Sequence, residues 1–483
     1  MRQLYDSSNS ICDNVMRIIL FGTGDYYQKF KDWFYDEDIV CLLDNNEQKQ
    51  NTVIDGKTVL SPDKGIKLAY DKICVMSVYY EKIKEQLIRL GVRESDIVHC
   101  SELYRHPQML RLDRIAIFYD KFGDIVSKIL NTSRSIILMS HDLDLNGATL
   151  ALYYAACILK SEGYDVWFAS WTDGEIRKML KEKEIGVIVD PRLQLEVFSE
   201  IEWLQSFQFI WCNTLLYYQL LSDRDGSKKY VWWLHEPEMF YQSVDKKILA
   251  EVRTDNLKIY AVGSVARDAF LNVCPQGKVT ELLYGIPDVA EHQSKNADKD
   301  SIMEIITVGN VQEYKGQDIL IDAIKQLPEE AKKKIHVSII GGNNSAYYHS
   351  VVTSAEELEN IIDFIPPINR DKIYKYYKNA DLYICSSRQD CMPVVVAESM
   401  MYSIPSIVSD TTGIASYVRQ CKGGLLFQSS NVQELSKKIL WCLNNREQLY
   451  SMGKAARTQY ENNFSLSSFK QNILKIVHNY FEI

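Results

Sequence analysis

The chain has 483 residues, of which 46% are hydrophobic and 25% are charged, a composition typical of a globular protein with about three domains. Its net charge of −9 argues against nucleic acid as the main partner, because phosphate backbones bind basic surfaces. The eleven cysteines contain no Cys-x-x-Cys pair, no signal peptide is recognised, and no run reaches the roughly 18 apolar residues that cross a membrane. We expect a cytoplasmic protein with reduced thiols. Peripheral contact with the inner face of the membrane stays open.

The first hundred residues predict a small α/β domain. A strand at 17–22 runs into a Gly-Thr-Gly turn, and a second strand at 39–43 ends in an aspartate. A glycine turn with an acid about twenty residues later is the layout of a dinucleotide-binding unit. Tyr27 replaces the third glycine of that motif, so a packing domain without a ligand is an equally good interpretation. The accessory nucleotide site would consist of Gly22, Gly24 and Asp44.

A helical connector is predicted over 109–132, and a second α/β unit follows it. Its first strand, 136–139, leads into a polar loop with Asp142 and Asp144, and Gly147 lets the backbone approach a ligand where the next helix begins. An Asp-x-Asp pair holds a metal for a sugar nucleotide in another enzyme class. The same spacing recurs at 36/38 and 223/225, so chance explains it and we predict no metal.

The alternation of helices and strands continues, with a helix predicted over 193–206. A strand at 230–234 then ends in His235, which would lie on the ligand-binding edge of a parallel sheet, although a structural histidine fits the pattern equally well. The polar stretch 288–301 marks the clearest domain boundary.

A third α/β unit begins with a strand at 305–308, and its glycine loop carries Lys315, which can neutralise a diphosphate. A strand at 382–385 then ends in a polar turn that feeds a helix. Helix amides beside two carboxylates suit a ligand rich in phosphate and hydroxyl groups. An aspartate that caps the helix and an exposed glutamate without a ligand are the alternative interpretation of the same sequence. The candidate residues of the turn and helix are Arg388, Asp390, Cys391, Met392 and Glu398.

Residues 300–465 resemble the C-terminal domain of retaining GT-B glycosyltransferases of family 4, which include sucrose-synthase-like and bacterial polysaccharide enzymes. The matching segments are VGNVQEYKGQDILIDAI, IIGG, ADLYICSSRQDCMPVVVAESM, IPSIVSDTTGI and GGLLF. The family's signature of an acid, seven residues and a glutamate runs here from Asp390 to Glu398, with Asp in place of the usual first Glu. The middle of the chain matches more loosely, through NGATLALYYAACILKSEGYDVWF, HEP and YGIP. The N-terminal segments FGTGDYY and IVCLLDNN resemble nucleotide-binding-like modules of bacterial surface-polysaccharide proteins.

The resemblance implies an α/β GT-B fold, in which two Rossmann-like domains face a cleft, preceded by a small Rossmann-like domain. The implied domains are an accessory domain at 1–108, the connector at 109–132, an acceptor-side domain at 133–295, a donor-side domain at 296–465, and a helix at 466–483 that packs back on the acceptor-side domain.

The family's functional residues carry over position by position. The resemblance implies that Glu398 holds the ribose hydroxyls, that Asp390 contacts the donor sugar, and that Lys315 meets the diphosphate. His235 would lie near the transferred sugar, so the implied catalytic residues are His235, Lys315 and Asp390. Asn310 stands where the family usually has Arg, which removes half of the expected diphosphate clamp. The other implied donor-site residues are Gly147, Cys391, Met392 and Arg388, the last as a substitute cation.

The implied activity is transfer, with retention and without a metal or cofactor, from a nucleotide-diphosphate sugar to a glycan, lipid-linked or protein hydroxyl in surface-glycan biosynthesis. One alternative is a non-catalytic nucleotide-sugar-binding partner of another glycosyltransferase. Others are a GT-B epimerase or phosphorylase, and a nicotinamide oxidoreductase that acts through the N-terminal domain.

Overall fold

The computed structural model describes residues 16–34, 38–77, 80–99, 116–117, 135–194, 198–242, 244–290, 301–342 and 345–481. The chain divides into two compact units, one with Met1–Ile117 and Val189–Glu196, the other with Phe118–Ile188 and Val197–Ile483. Within the described residues, no helix has both the length and the apolar character needed to cross a membrane.

The first unit is built on a sheet with six strands, namely β1 (Arg17–Phe21), β2 (Asp38–Leu43), β3 (Val53–Ile54), β4 (Lys57–Leu60), β5 (Lys72–Val75) and β6 (Ile97–His99). Their order is β3-β4-β2-β1-β5-β6, and the pairs are parallel except for β3–β4. Ile18 and Leu20 of β1 pack into one core cluster, and Ile19 and Phe21 into another, because successive side chains point to opposite faces. The helices are α1 (Asp25–Phe30), α2 (Pro62–Gly65) and α3 (Tyr80–Arg89), with 3₁₀ turns at Lys31–Phe34 and Glu94–Asp96.

The predicted connector at 109–132 lies outside the described residues apart from one short element. Ala116–Ile117 form the two-residue strand β7.

The middle lobe comprises the described residues 135–188 and 198–290. Its strands are β8 (Ser135–Ser140), β9 (Asp165–Ser170), β10 (Gly186–Val189), β11 (Phe209–Asn213), β12 (Lys229–Leu234), β13 (Leu257–Ala261) and β14 (Val279–Glu281). They follow the order β14-β13-β12-β11-β8-β9-β10, and the pairs from β14 to β9 are parallel. The helices are α4 (Gly147–Ser161), α5 (Ile176–Glu182), α6 (Tyr218–Ser222), α7 (Lys246–Ala250) and α8 (Ser264–Val273).

The helix predicted over 193–206 is wrong, because short 3₁₀ turns such as Phe198–Glu200 and Glu202–Ser206 occupy much of this segment. Four buried apolar side chains recur here every three residues, at Phe198, Ile201, Leu204 and Phe207, and Trp203 is buried beside them. Three residues per turn is the period of a 3₁₀ helix, whereas an α-helix of 3.6 residues per turn would spread these side chains around its surface. Further 3₁₀ turns lie at Pro191–Gln194, Leu215–Tyr217 and Glu238–Gln242.

The C-terminal lobe comprises the described residues from 301 to 464. Its strands are β15 (Met303–Val308), β16 (Ile335–Ile340), β17 (Ile362–Ile365), β18 (Leu382–Cys385), β19 (Ser406–Ser409) and β20 (Gly424–Phe427), in the all-parallel order β17-β16-β15-β18-β19-β20. The chain leaves β15 toward β16 on one side and returns to β18 on the other. This reversal is where open α/β sheets bind ligands.

The helices of this lobe are α9 (Gln317–Lys325), α10 (Glu329–Lys332), α11 (Ala346–Ser354), α12 (Arg370–Asn379), α13 (Val394–Met401), α14 (Ala415–Cys421), α15 (Val432–Asn444) and α16 (Arg446–Gln459). Two 3₁₀ turns, Glu313–Lys315 and Glu356–Leu358, and a π-helix, Tyr460–Phe464, complete it.

The last helix, α17 (Leu466–Phe481), packs against α4 of the middle lobe. Phe469 lies 5.7 Å from Trp233, centroid to centroid, and Lys470 pairs with Glu162 at 2.5 Å. The Tyr460 hydroxyl donates to the carbonyl oxygen of Ile286 at 3.0 Å. The chain therefore crosses from the C-terminal lobe back to the middle lobe and ties the two lobes together.

Candidate functional site

The loop after β15 and the turn after β18 lie against each other at the carboxyl edge of the C-terminal lobe. A glycine is needed at 316, because φ is +67° and a Cβ there would lie 2.3 Å from the Ser386 carbonyl oxygen. The Arg388 amide also donates to the Tyr314 carbonyl oxygen at 2.8 Å. These contacts hold Lys315 next to the turn that carries Asp390.

Lys315 and Asp390 form an ion pair, with 2.6 Å between Nζ and Oδ2. Burial lowers the pKa of Lys315, but the charge and hydrogen bond of Asp390 outweigh it, so this pKa lies above its usual value and the lysine stays protonated. Asp390 Oδ1 also accepts from the Met392 amide at 3.3 Å. The loops thus present a fixed cation that can stabilise negative charge developing on a ligand.

The ion pair lines a cavity of about 320 Å³ between the middle and C-terminal lobes, which we name the inner cavity. From the middle lobe it is lined by Gly147, Ala148, His235, Pro237, Met239, Phe240, Val262 and Tyr284, and from the C-terminal lobe by Val308, Gly309, Tyr314, Lys315 and the segment 389–395. These residues lie at or after the carboxyl ends of β8, β12, β13, β14, β15 and β18, so the cavity lies at the carboxyl edges of both sheets.

A second, larger space of about 690 Å³, the outer cavity, shares three lining residues with the inner cavity, namely Met239, Tyr314 and Gln389. Its other lining residues are Glu238, Val265, Asp268, Ala269, Asn272, Glu313, Arg388 and Thr411.

His235 lines the inner cavity as a neutral imidazole. Burial, with a smaller contribution from His141, lowers the pKa of His235 to about 3. His235 Nε2 lies 2.8 Å from Asn213 Oδ1, and the Asn213 amide nitrogen donates to the Ala148 carbonyl oxygen at 3.0 Å. Since Asn213 Oδ1 is then the acceptor, the proton resides on Nε2, and Nδ1 is left as an acceptor.

Gly147 begins α4 and lines the inner cavity, where a Cβ at this position would lie 3.4 Å from Val394 of α13. The preceding loop is held by Asp142, whose Oδ1 accepts from Asn146 Nδ2 at 2.8 Å and from Thr149 Oγ1 at 2.9 Å. Asp142 therefore orders this loop through its own hydrogen bonds. Among the described residues, no three His, Cys, Asp or Glu side chains are grouped so as to hold a metal ion.

The structure does not place Asn310, which replaces the usual arginine, or Arg388, the suggested substitute cation, among the residues that line the inner cavity. Asn310 is exposed, and its carbonyl oxygen accepts from Gln317 at 3.1 Å. Arg388 lines the outer cavity and donates to both carboxylate oxygens of Asp318, at 2.9 and 2.6 Å. Lys315 is therefore the cation among the described residues lining the inner cavity.

Cys391 and Met392 line the inner cavity, whereas Glu398 lies beneath it on the second turn of α13. Glu398 is 4% exposed and is absent from the described residues that line the cavity. Its Oε1 pairs with Arg370 at 2.8 Å, and its Oε2 accepts from the Tyr377 hydroxyl at 3.1 Å. Burial raises the pKa of Glu398, although both partners act to lower it.

In the first unit, the turn with Gly22 and Gly24 is closed by Asp44. Asp44 Oδ2 accepts from the Thr23 amide at 3.1 Å and from the Thr23 hydroxyl. Burial acts to raise the pKa of Asp44, but these hydrogen bonds and Lys49 lower it below the usual value. A Cβ at position 22 would meet the Met76 carbonyl oxygen at 2.8 Å. The acid of the predicted accessory nucleotide site is therefore engaged by the neighbouring glycine turn.

Tyr284 is a cavity residue that sequence reasoning named only as part of YGIP. It is 2% exposed and lines the inner cavity, and its hydroxyl has no hydrogen-bond partner among the described residues. Buried polar groups usually find a partner, so this hydroxyl is suited to a ligand or an ordered water. Its place three residues after the last strand of the middle lobe, which ends at Glu281, was the available signal.

Two facing α/β lobes, with a cavity at the carboxyl ends of both sheets, define the GT-B fold of glycosyltransferases, and the predicted fold class is confirmed. The family model "Glycosyl transferases group 1" matches residues 288–459, and "Glycosyl-transferase family 4" matches residues 132–276. A third model, "C2185-like, N-terminal", matches residues 14–98.

Solved structures share this fold. An Anabaena protein, HepE, in complex with UDP-glucose superposes with a TM-score of 0.61 at 17% identity, over 71% of this chain and 99% of that chain. Sucrose-phosphate synthase from Thermosynechococcus elongatus gives 0.58 at 17% identity, over 72% and 99%.

Similarity in sequence to curated proteins is confined to part of the chain. A glycosyltransferase of Haemophilus influenzae is 27% identical over 160 residues, which are 32% of this chain and 44% of that protein. A D-inositol 3-phosphate glycosyltransferase of Corynebacterium aurimucosum is 28% identical over 157 residues, 31% of this chain and 37% of that protein. The chain thus spans less than half the length of these curated relatives.

Proposed function

We propose that this chain is a glycosyltransferase that moves a sugar from a nucleotide-diphosphate sugar to a hydroxyl group. The observation that carries the proposal is the Lys315–Asp390 ion pair at 2.6 Å in a cavity lined by both lobes. Matches to two glycosyltransferase family models over successive parts of the chain support the same activity. The complexes of the Anabaena protein with UDP and UDP-glucose make a uridine nucleotide the first donor to test.

In this proposal Lys315 neutralises the diphosphate, and Asp390 accepts hydrogen bonds from hydroxyls of the donor sugar. Gly147 lets the backbone of the middle lobe approach the donor. Cys391 and Met392 approach the donor from the C-terminal lobe. His235, neutral and with Nδ1 as an acceptor, contacts the transferred sugar. These assignments are supported by the placement of all six residues on the inner cavity.

The assignment of Glu398 to the ribose draws less support from the geometry. Arg370 and Tyr377 already hold both oxygens of this carboxylate. A ribose would therefore have to displace at least one of these partners when the nucleotide binds.

Retention of the anomeric configuration is supported by how few of the described side chains that line the inner cavity could act as a general base. Asp390 is the carboxylate among the described lining residues of the inner cavity, and Lys315 holds it. His235, with a pKa lowered to about 3, is a poor base at neutral pH. In the proposed step the bond from the anomeric carbon to the diphosphate breaks and the acceptor oxygen bonds on the same face. The acceptor proton passes to the departing phosphate oxygen, and Lys315 supplies the cation that a metal would otherwise provide.

We place this activity in the cytoplasm, in the synthesis of surface glycans on a glycan, lipid-linked or protein acceptor. The free thiols of all the described cysteines support a reducing compartment.

The test is incubation of the full chain with labelled nucleotide-diphosphate sugars and a panel of glycans, with NMR of the product to read its anomeric configuration. We expect turnover of at least one donor and a product with the donor's configuration. Inversion would overturn the retaining mechanism, and the absence of both donor cleavage and transfer would overturn the enzymatic assignment.

A non-catalytic nucleotide-sugar-binding protein is the second candidate. It is favoured by Asn310, which leaves Lys315 without a second cation among the described lining residues. Binding of a nucleotide sugar without any cleavage would select this alternative.

A further inference from the structure

The outer cavity is lined by exposed acids. Glu238, Asp268 and Glu313 each contribute an exposed side chain to its wall. Arg388 is the cation among the described residues that line it, and Asp318 engages that guanidinium through both carboxylate oxygens. Asp268 is likewise paired with Arg267 at 2.9 Å. Because both Arg388 and Asp268 are neutralised in this way, Glu238 and Glu313 are the acids that give the outer cavity a negative potential.

The same cavity offers apolar surface and a route to the ion pair. Met239 is 47% exposed and Tyr314 is 38% exposed, and such side chains can pack against the C–H face of a sugar ring. Both also line the inner cavity, together with Gln389. A molecule in the outer cavity can therefore extend a hydroxyl toward Lys315 and Asp390. The volume of about 690 Å³ is that of a ligand site.

We propose that the outer cavity binds the acceptor and selects saccharides that carry no phosphate or carboxylate group. The exposed carboxylates accept hydrogen bonds from sugar hydroxyls or from the ammonium group of an amino sugar. They repel a phosphate dianion, which finds no unpaired cation among the described lining residues. This inference rests on the proposed glycosyl transfer and adds the chemical class of the acceptor to it.

The experiment measures binding of matched pairs to the full chain by calorimetry, with and without UDP. Each pair is a methyl glycoside of glucose, galactose, mannose or N-acetylglucosamine and its 6-phosphate. We expect at least one neutral glycoside to bind about tenfold more tightly than its phosphate, because the exposed carboxylates of Glu238 and Glu313 repel a dianion even when water screens the charges. Higher salt should reduce this ratio, since it screens the repulsion.

The variants Glu238→Lys and Glu313→Lys should each lower the ratio of the two affinities, neutral glycoside over phosphate, about threefold or more. Each variant replaces a negative charge near the ligand with a positive one. Glu359→Lys, an exposed acid outside the cavity lining, is the matched control and should leave the ratio unchanged. A cooperative thermal unfolding transition checks that each variant is folded. Phosphates that bind as tightly as the neutral sugars, a ratio unmoved by both cavity variants, or binding of neither class would overturn the assignment. Failure of the proposed function is read separately, from the absence of donor cleavage.

Discussion

Two sites in this chain bring together a glycine turn, a lysine and an aspartate from neighbouring loops, and they use the carboxylate in different ways. In the first unit, Asp44 lies 3.6 Å from Lys49, but it also accepts from the amide and hydroxyl of Thr23 and closes the turn that carries Gly22 and Gly24. In the C-terminal lobe, Asp390 lies 2.6 Å from Lys315, and both side chains line the inner cavity. The two sites are thus alike in their residue types, whereas one carboxylate closes a turn and the other lines a cavity.

The largest effect on glycosyl transfer should follow from removing Lys315, the cation of the inner cavity. Lys315→Met should lower transfer by about 10²- to 10³-fold, the cost of losing one group that stabilises developing negative charge. The measurement is kcat/KM with the donor that the nucleotide-sugar panel identifies.

Lys49→Met is the matched control, because it removes the lysine beside the other aspartate. It should leave transfer within about twofold of the parent chain. Equal losses in the two variants would remove the distinction between the loops.

The next largest effect concerns the turn with Gly22 and Gly24, which Asp44 closes. Asp44→Ala should destabilise the first unit by about 1–3 kcal/mol, because the buried Thr23 donors lose their acceptor. Hydrogen exchange of the β1 and β2 amides would report this locally. Asp390→Asn should leave that exchange unchanged while transfer falls. Unchanged protection in Asp44→Ala would show that the turn does not depend on this acid.

A smaller effect concerns the pH range in which each of the two regions loses folding stability. Since burial holds the pKa of His235 at about 3, below its ordinary 6.5, the unfolded chain takes up a proton that the folded chain refuses as pH falls below about 6.5. Folding stability contributed by neutral His235 is therefore lost from pH 6.5 downward. Asp44, whose pKa is lowered from 3.8, contributes stability that is lost only at more acid pH, as the carboxylate becomes protonated.

His235→Gln should accordingly flatten the decline of the unfolding midpoint between about pH 6.5 and 4 relative to the parent chain. Thermal unfolding across this range is the measurement. A decline as steep as that of the parent chain would mean that His235 can be protonated in the folded protein.

The smallest change in stability is expected for Tyr284→Phe. Its hydroxyl has no partner among the described residues, so its removal breaks no hydrogen bond there and should leave the unfolding midpoint unchanged or slightly raised. Nucleotide-sugar affinity should fall severalfold if the hydroxyl meets the ligand, because such a hydrogen bond is worth about 0.5–1.5 kcal/mol. Unchanged affinity would assign this hydroxyl to an ordered water instead.

The sequence predicted the features that depend on the succession of strands, turns and helices along the chain. Strands that end in glycine or polar turns gave the parallel sheets, and the turns after β15 and β18 placed Lys315 and Asp390 on one edge. It could not predict partners that are distant along the chain. Arg388 pairs with Asp318, 70 residues away, and Glu398 pairs with Arg370 on a different helix. Such side-chain pairing depends on the packing of separate helices, on which the residue spacing carries no information.

The most direct test of the account is thermal unfolding of the parent chain, Lys315→Met and Lys49→Met in the presence of nucleotide-diphosphate sugars, beginning with UDP-glucose. A ligand that binds only the folded state raises its midpoint in proportion to affinity. We predict a rise for the parent chain and for Lys49→Met that is lost in Lys315→Met. A rise that survives in Lys315→Met and disappears in Lys49→Met would place the nucleotide in the first unit and contradict the account.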